Sequence, residues 1–149
     1  FIQPLSEIPK ELKADADIDY TFMRYSEIYL IIAEALNEGG DPGSALPYLN
    51  TVRKRARESF LYDETLENYG SVPEGMLPDI ETTNQSDLRD AIRHERRVEL
   101  GFEMHRYFDV IRYGSVYANK VFEGTAFNYE TNKFFPYPQS ELDTNHELK

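Results

Sequence analysis

The sequence contains no cysteine. That removes disulfides, thiolate-bound zinc and thiol nucleophiles together, and it says nothing about compartment, since secreted and cytosolic domains alike do without cysteine. Tryptophan is absent too, so any aromatic platform has to be built from the 11 tyrosines and 9 phenylalanines. Positive charge is scarce: 16 Lys and Arg stand against 27 Asp and Glu, a net charge of −11. Polyphosphates and anionic lipid surfaces both demand a basic footprint, so nucleic acid and electrostatic membrane docking are excluded as partners. An uncharged ligand is not. No apolar run approaches the ~20 residues of a membrane span. Phe1 is not an initiator methionine and no leader precedes it, so the chain is expected to be a piece of something longer, with any membrane anchor outside this sequence.

What is present is a globular composition of 149 residues, enough for a core that buries roughly two-thirds of the unfolded surface. Residues 1–22, with Pro4, Pro9 and alternating Asp15, Asp17 and Asp19, are expected to be irregular. From about Phe22 to Asn37, residues Tyr25, Ile28, Tyr29, Ile32 and Leu36 recur at helical spacing. Leu30, Ile31 and Ala33 widen the apolar surface, which predicts a helix packed on two sides. Gly39-Gly40 ends it where positive φ is needed. A second helix is expected with Ser44 as N-cap and Pro47 in the first turn, where a missing N–H costs nothing. Its buried stripe is Ala45, Leu49, Val52 and Ala56, and Arg53, Lys54, Arg55 and Arg57 suit its C-terminal end. Residues 22–57 thus form a helical hairpin. Residues 58–85 make a long loop insertion, a length more often functional than merely connective. Helix resumes over 86–114, with Ser86 as N-cap and a further piece from Glu103 to Tyr113, and 115–149 is expected to be an irregular C-terminal wrap. The fold class is all-α.

The segment from Leu88 to Arg112 breaks the usual rule for a core-facing stripe. Leu88, Ala91 and Ile92 lead to Glu95 and Glu99, and carboxylates at such positions are costly unless paired. Arg93, Arg96, Arg97, Arg106 and Arg112 are at hand, with Asp109 and Arg112 spaced i, i+3. The expected arrangement is a structural ion network of Glu95, Arg96, Glu99, Glu103, Arg106, Asp109 and Arg112. Catalysis by Glu95 and Glu99 would require one carboxyl to hold its proton, and neighbouring arginines oppose that. His94-Glu95 opens like a zinc-protease motif, but Val98 occupies the second ligand position. Neither His94 nor His105 has a glutamate three residues before it, as a di-iron bundle needs. Asp15-Ala16-Asp17-Ile18-Asp19 begins like a calcium loop, yet Tyr20 stands where glycine is required and Ser26 where a bidentate glutamate belongs. A solvated acidic turn is the expectation there. No phosphate-binding or nucleophile-elbow motif occurs, so neither a cofactor, a metal nor a catalytic set is expected.

Three stretches taken in order resemble the SusD/RagB family. The first is Arg24-Tyr25-Ser26-Glu27-Ile28-Tyr29-Leu30-Ile31-Ile32-Ala33-Glu34-Ala35, continuing to Leu49-Asn50-Thr51-Val52-Arg53-Lys54-Arg55-Ala56. The second is Ile92-Arg93-His94-Glu95-Arg96-Arg97-Val98-Glu99-Leu100 with Glu103-Met104-His105-Arg106-Tyr107-Phe108-Asp109-Val110-Ile111-Arg112-Tyr113-Gly114. The third is Phe135-Pro136-Tyr137-Pro138, then Glu141 and Asn145. The resemblance is to that family's C-terminal region and covers residues ~22–145. The sequence departs from it at Met104, where glycine is usual, and at Pro47, which interrupts a helix.

The resemblance implies tetratricopeptide-like helical hairpins. It implies a non-catalytic subunit of Bacteroidetes type, lipid-anchored in the outer membrane and facing outward. Such a subunit captures oligosaccharide or polysaccharide and passes it to a TonB-dependent transporter. Much of the family's glycan site lies upstream of the matched region. Within these residues the expected contacts are Tyr62 and Tyr69, which sit in a polar insertion beside Asp63, Glu64, Glu67 and Asn68. Aromatic rings stack on the C–H faces of sugars, and tyrosine tolerates a wet site. The competing reading is that they simply pin the loop. Two other functions compete with the first: a generic tetratricopeptide-like protein-interaction module, and a sugar hydrolase using a carboxylate pair. The first lacks any need for the Phe-Pro-Tyr-Pro segment, and the arginine surplus disfavours the second.

Overall fold

The computed structural model describes residues 22–145 and 147. The acidic run Asp15–Asp19 and the rest of the N-terminal segment lie outside the described residues. Among the described residues there are seven α-helices and no strand: α1 (Tyr25–Glu38), α2 (Pro42–Glu58), α3 (Gln85–Glu99), α4 (Arg106–Arg112), α5 (Ser115–Val121), α6 (Tyr129–Asn132) and α7 (Gln139–Thr144). They fall into two compact units, one ending at Arg96 and the other starting at Arg97, and each is described by itself.

In the first unit, α1 and α2 form the expected hairpin across a three-residue turn. Gly40 takes φ +90, and the Asp41 N–H donates back to the Leu36 carbonyl at 2.9 Å. This satisfies carbonyls that the helix end leaves bare. The buried face of α1 carries Ser26, Glu27, Leu30, Ala33 and Asn37, a stripe rotated by about one residue from the Tyr25–Ile28–Ile32 line that periodicity suggests. Leu30 and Ala33 meet Ala45, Leu49 and Val52 of α2 and Leu88 and Ile92 of α3 in one core. Tyr29 and Tyr48 pack beside it with ring centroids 6.0 Å apart.

The start of α2 differs from expectation. Asp41, not Ser44, is the N-cap, and its carboxylate accepts the Ser44 N–H at 3.1 Å. Pro42 opens the helix, which places Pro47 in its second turn. The helix passes through Pro47 because only the bond to the Gly43 carbonyl is forfeited, and α2 is held along its length by packing on α1. The N–H and hydroxyl of Ser44 hold the Asp41 carboxyl below its usual pKa. The unfolded chain therefore takes up that proton more readily than the folded one. The stabilisation from the cap is fully present above the ordinary carboxylate range near pH ~4 and is lost as pH falls through the lower folded value. Asp41→Ala should lower the melting temperature at pH 7, and the gap from the parent should close in acid, as thermal scans at several pH values would show.

Helix α3 likewise begins early, by two residues: the Asn84 side chain accepts from the N–H groups of Ser86 and Asp87 at 2.9 and 3.1 Å, so Asn84 is the cap rather than Ser86. Two reciprocal amide bonds join α1 to this start. Asn37 Nδ2 donates to the Gln85 carbonyl at 3.0 Å, and Gln85 Nε2 donates to the Asn37 carbonyl at 2.7 Å. On the surface nearby, Arg89 grips both carboxylate oxygens of Glu38 at 2.5 and 2.7 Å.

The second unit is assembled from aromatic rings. Tyr107 of α4 contacts the rings of Phe108, Phe122 and Phe135 at centroid distances of 6.0, 6.5 and 5.7 Å. Phe122 and Phe127 are 4.4 Å apart. Leu100, Val110 and Ala118 are buried. Residues 115–149, expected to be irregular, contain α5, α6 and α7. These are too short for a periodic signal and arise from local chemistry: Asn128 caps α6 through the N–H groups of Glu130 and Thr131, and Pro138 precedes α7.

Helix α4 starts at Arg106 rather than Glu103 because Phe102 and Met104 adopt φ +65 and +64. Left-handed backbone costs an L-residue ~1–2 kcal/mol, which gives a physical reason for the glycine that the resemblance leads one to expect where Met104 stands. Met104 is also exposed and packs on little. Met104→Gly is accordingly expected to stabilise the protein by up to ~1 kcal/mol, the relief of strain being partly offset by unfolded-state entropy. Urea denaturation would measure it, and a destabilised variant would contradict it.

Candidate functional site

The insertion between α2 and α3 is built from its return limb outward. Arg53 on α2 donates from Nε and Nη2 to the Pro78 carbonyl at 3.0 and 2.7 Å. One turn on, Arg57 Nη1 reaches the Leu77 carbonyl at 3.1 Å and the Asp79 carboxylate at 2.5 Å. Asn50 completes the row like an added strand partner: its Nδ2 donates to the Ile80 carbonyl at 2.9 Å, and its Oδ1 accepts the Ile80 N–H at 2.8 Å. Three side chains spaced three or four apart on one face of α2 thus hold residues 77–80 by their backbone. Leu77 is kept at φ +49 within this clamp.

The outer part of the insertion closes on itself. The Gly70 N–H donates to the Phe60 carbonyl at 2.8 Å, so residues 60–70 form a compact loop with adjoining ends. Asp63 accepts from the N–H and hydroxyl of Thr65 at 3.0 and 2.6 Å, which holds its carboxyl below the usual range. Leu66 is half-buried. Tyr62 and Tyr69 flank the closure and remain open to solvent, at 79% and 50% exposure. Leu61, Val72 and Met76 are exposed in the same insertion. No arginine, lysine or histidine occurs from Ser59 to Asn84.

The charged residues of the stripe are placed as follows. Glu95 is 3% exposed and accepts from Arg53 Nη1 at 2.8 Å. Arg96 is buried 3.7 Å from Glu27 of α1. Their partners are thus on α2 and α1, and Arg53 joins α2, α3 and the loop at one point. In the second unit Asp109 is buried and bonded to Arg112 at 3.1 Å. The Arg106 guanidinium lies 5.7 Å from the Tyr117 ring and bonds its hydroxyl at 3.3 Å. Glu99 and Glu103 are half-buried. Glu95 is thus enclosed and bonded to a guanidinium. Among the described residues no group of three or more His, Asp and Glu side chains could hold a metal ion, and no helix is long and apolar enough to cross a membrane.

Sequence reasoning placed Arg53 only in the basic end of α2 and gave Asn50, Asn37 and Glu27 no role of their own. Asn50 and Asn37 carried one usable signal, a polar amide interrupting an otherwise apolar helical face. Residues 10–149 match a model of the SusD family. The chain is similar to three proteins of Formosa agariphila. It is 34% identical to SusD-like protein P2 over 141 residues, covering 90% of this chain and 25% of that protein. It is 37% identical to SusD-like protein P38 over 97 residues, 64% of this chain and 17% of the relative. It is 35% identical to SusD-like protein P25 over 91 residues, 61% of this chain and 14% of the relative. The chain therefore spans a quarter or less of the length of these relatives. No solved structure gives a significant match.

Proposed function

Because this chain belongs to the SusD family, we propose that it is part of a non-catalytic subunit that binds oligosaccharide or polysaccharide at the cell surface. The family match across nearly all of the chain carries this reading. The subunit is held to the outer membrane by a lipid anchor and delivers its ligand to a TonB-dependent transporter. In this reading the protein performs no bond-breaking step. Of the two carboxylates weighed for catalysis, Glu95 is buried and bonded to Arg53, and Glu99 is half-buried.

Tyr62 and Tyr69 are the contacts these residues contribute. Both rings are exposed on a loop whose base is tied to α2. A ring presented on a fixed base loses little freedom when a sugar stacks on it, while the neighbouring Asp63, Glu64, Glu67 and Asn68 offer acceptors to sugar hydroxyls. Glu95, Arg96, Glu99, Glu103, Arg106, Asp109 and Arg112 have structural roles, Glu95 and Arg96 through Arg53 and Glu27 in the first unit and Asp109 through Arg112 in the second.

Affinity gels on a polysaccharide panel, followed by calorimetric titration of the longer polypeptide with the glycan it retains, test the reading. Tyr62→Ala with Tyr69→Ala is expected to weaken binding about tenfold, equal to ~1.4 kcal/mol. Unchanged affinity in the folded double variant would remove these residues from the site. Glycan turnover that disappears in Glu95→Gln would overturn the non-catalytic assignment.

A further inference from the structure

The insertion between α2 and α3 carries charge of one sign. From Ser59 to Asn84 there are six carboxylates, Asp63, Glu64, Glu67, Glu74, Asp79 and Glu81, and no arginine, lysine or histidine. Asp79 is paired with Arg57 of α2 at 2.5 Å, and the other five side chains are exposed. Three of those five, Asp63, Glu64 and Glu67, lie between Tyr62 and Tyr69 in the chain. The bond from the Gly70 N–H to the Phe60 carbonyl closes this stretch into a loop, so the two exposed rings stand on its opposite limbs. Asp63 and Glu64 are within two residues of Tyr62, and Glu67 is two residues from Tyr69. Two residues of chain span at most ~7 Å, less than the ~8 Å over which physiological salt screens a charge. A charge seated on either ring is therefore exposed to the carboxylates beside it. The hydrogen-bonding groups lean the same way. Asp63 takes both the N–H and the hydroxyl of Thr65, which keeps its carboxyl below the usual pKa and ionised at neutral pH. Carboxylates only accept, and a sugar hydroxyl can donate to them, whereas a uronate or a sulfate ester can only accept in its turn.

We propose that Tyr62 and Tyr69 receive uncharged saccharide, and that the carboxylates between them turn away polyanionic chains, whether the charge is a uronate or a sulfate ester. This rests on the reading of the two tyrosines as glycan contacts and adds the class of glycan they accept. The rings supply an attraction that the C–H faces of charged and uncharged sugars share, so discrimination falls to the charges around them. Like charges brought together at a binding surface cost affinity and slow the encounter, and both effects fade as salt is added.

The test runs the longer polypeptide, with and without Tyr62→Ala and Tyr69→Ala, on affinity gels containing laminarin, galactomannan, xylan, polygalacturonate or alginate. Oligosaccharides of the retained polysaccharide are then titrated calorimetrically before and after chemical sulfation. The expected result is tyrosine-dependent retention by an uncharged polysaccharide and an affinity at least ~tenfold lower for its sulfated form at low salt. That gap should narrow several-fold in ~0.5 M sodium chloride, and again in the variant carrying Glu64→Gln and Glu67→Gln. Both glutamates are exposed, and circular dichroism checks that the variants are folded. Tyrosine-dependent retention by polygalacturonate or alginate would overturn the proposal, as would sulfation that leaves the affinity unchanged. So would a loss on sulfation that neither salt nor the glutamine pair reduces, because sulfation also removes hydroxyls. Retention by none of the gels, or retention indifferent to the tyrosines, would instead overturn the reading of the rings as glycan contacts, and the proposal would fall with it.

Discussion

Glu95→Ala is expected to destabilise the protein by ~3–5 kcal/mol, the usual cost of removing one partner from a buried ion pair, out of a total stability of ~5–15 kcal/mol. Glu95 is 3% exposed and bonded to Arg53 Nη1 at 2.8 Å. Its removal leaves a guanidinium enclosed between α2 and α3 with one of its charge-assisted bonds gone. The effect spreads because the same guanidinium holds the Pro78 carbonyl through Nε and Nη2. Arg53→Ala should therefore also loosen the insertion, seen as faster proteolysis between Leu77 and Asp79. Glu99→Ala should cost clearly less, since Glu99 is half-buried, although sequence spacing treats the two glutamates alike. Urea denaturation followed by circular dichroism compares all three, and an unchanged midpoint for Glu95→Ala would show that the pair contributes nothing. Replacing both partners, with Glu95→Leu and Arg53→Met, should recover much of the loss, because neither charge is then stranded.

Leu49→Ala should destabilise by ~2–5 kcal/mol through lost burial and the cavity left behind. Leu49 is wholly buried and belongs to the core where α1, α2 and α3 meet. Two features push the figure towards the upper end of that range. The surrounding residues come from three helices rather than one, and α1 is tied at its end to Gln85 by the amide bonds of Asn37, which restricts collapse into the cavity. Leu49→Met keeps most of the volume and should cost less than ~1.5 kcal/mol. If the two variants lose equal stability, the site is looser than its complete burial indicates. Leu30→Ala, across the hairpin in the same core, should fall in the same range, and the pair should be non-additive if their side chains touch.

Much of the architecture is legible without coordinates. The helical spacing of apolar residues from Tyr25 to Ala56 and from Leu88 to Ile92, punctuated by Gly39-Gly40, specifies the first hairpin and α3, because amphipathic period and positive-φ glycine are properties of the local chain. The ordered motifs around Glu34, Glu95, Asp109 and Pro136 carried the family. Exposure of Tyr62 and Tyr69 was less accessible, since a ring in a polar loop serves equally well as an anchor or as a contact until its cover is known.

The tertiary structure alone decided what depends on distant segments meeting. Arg53 and Glu95 lie 42 residues apart, Asn37 and Gln85 48, and Asn50 and Ile80 30. Within α3, Glu95 has arginines on both sides, and nothing in their spacing points to one on α2. Periodicity also shows that α1 is apolar around much of its circumference, but it cannot choose which apolar face turns inward. That choice is made by the neighbours: the side bearing Leu30, Ala33 and Asn37 meets the Ala45–Leu49–Val52 ridge and brings the Asn37 amide to Gln85. Hydrogen bonding and close packing reward only the rotation that satisfies both.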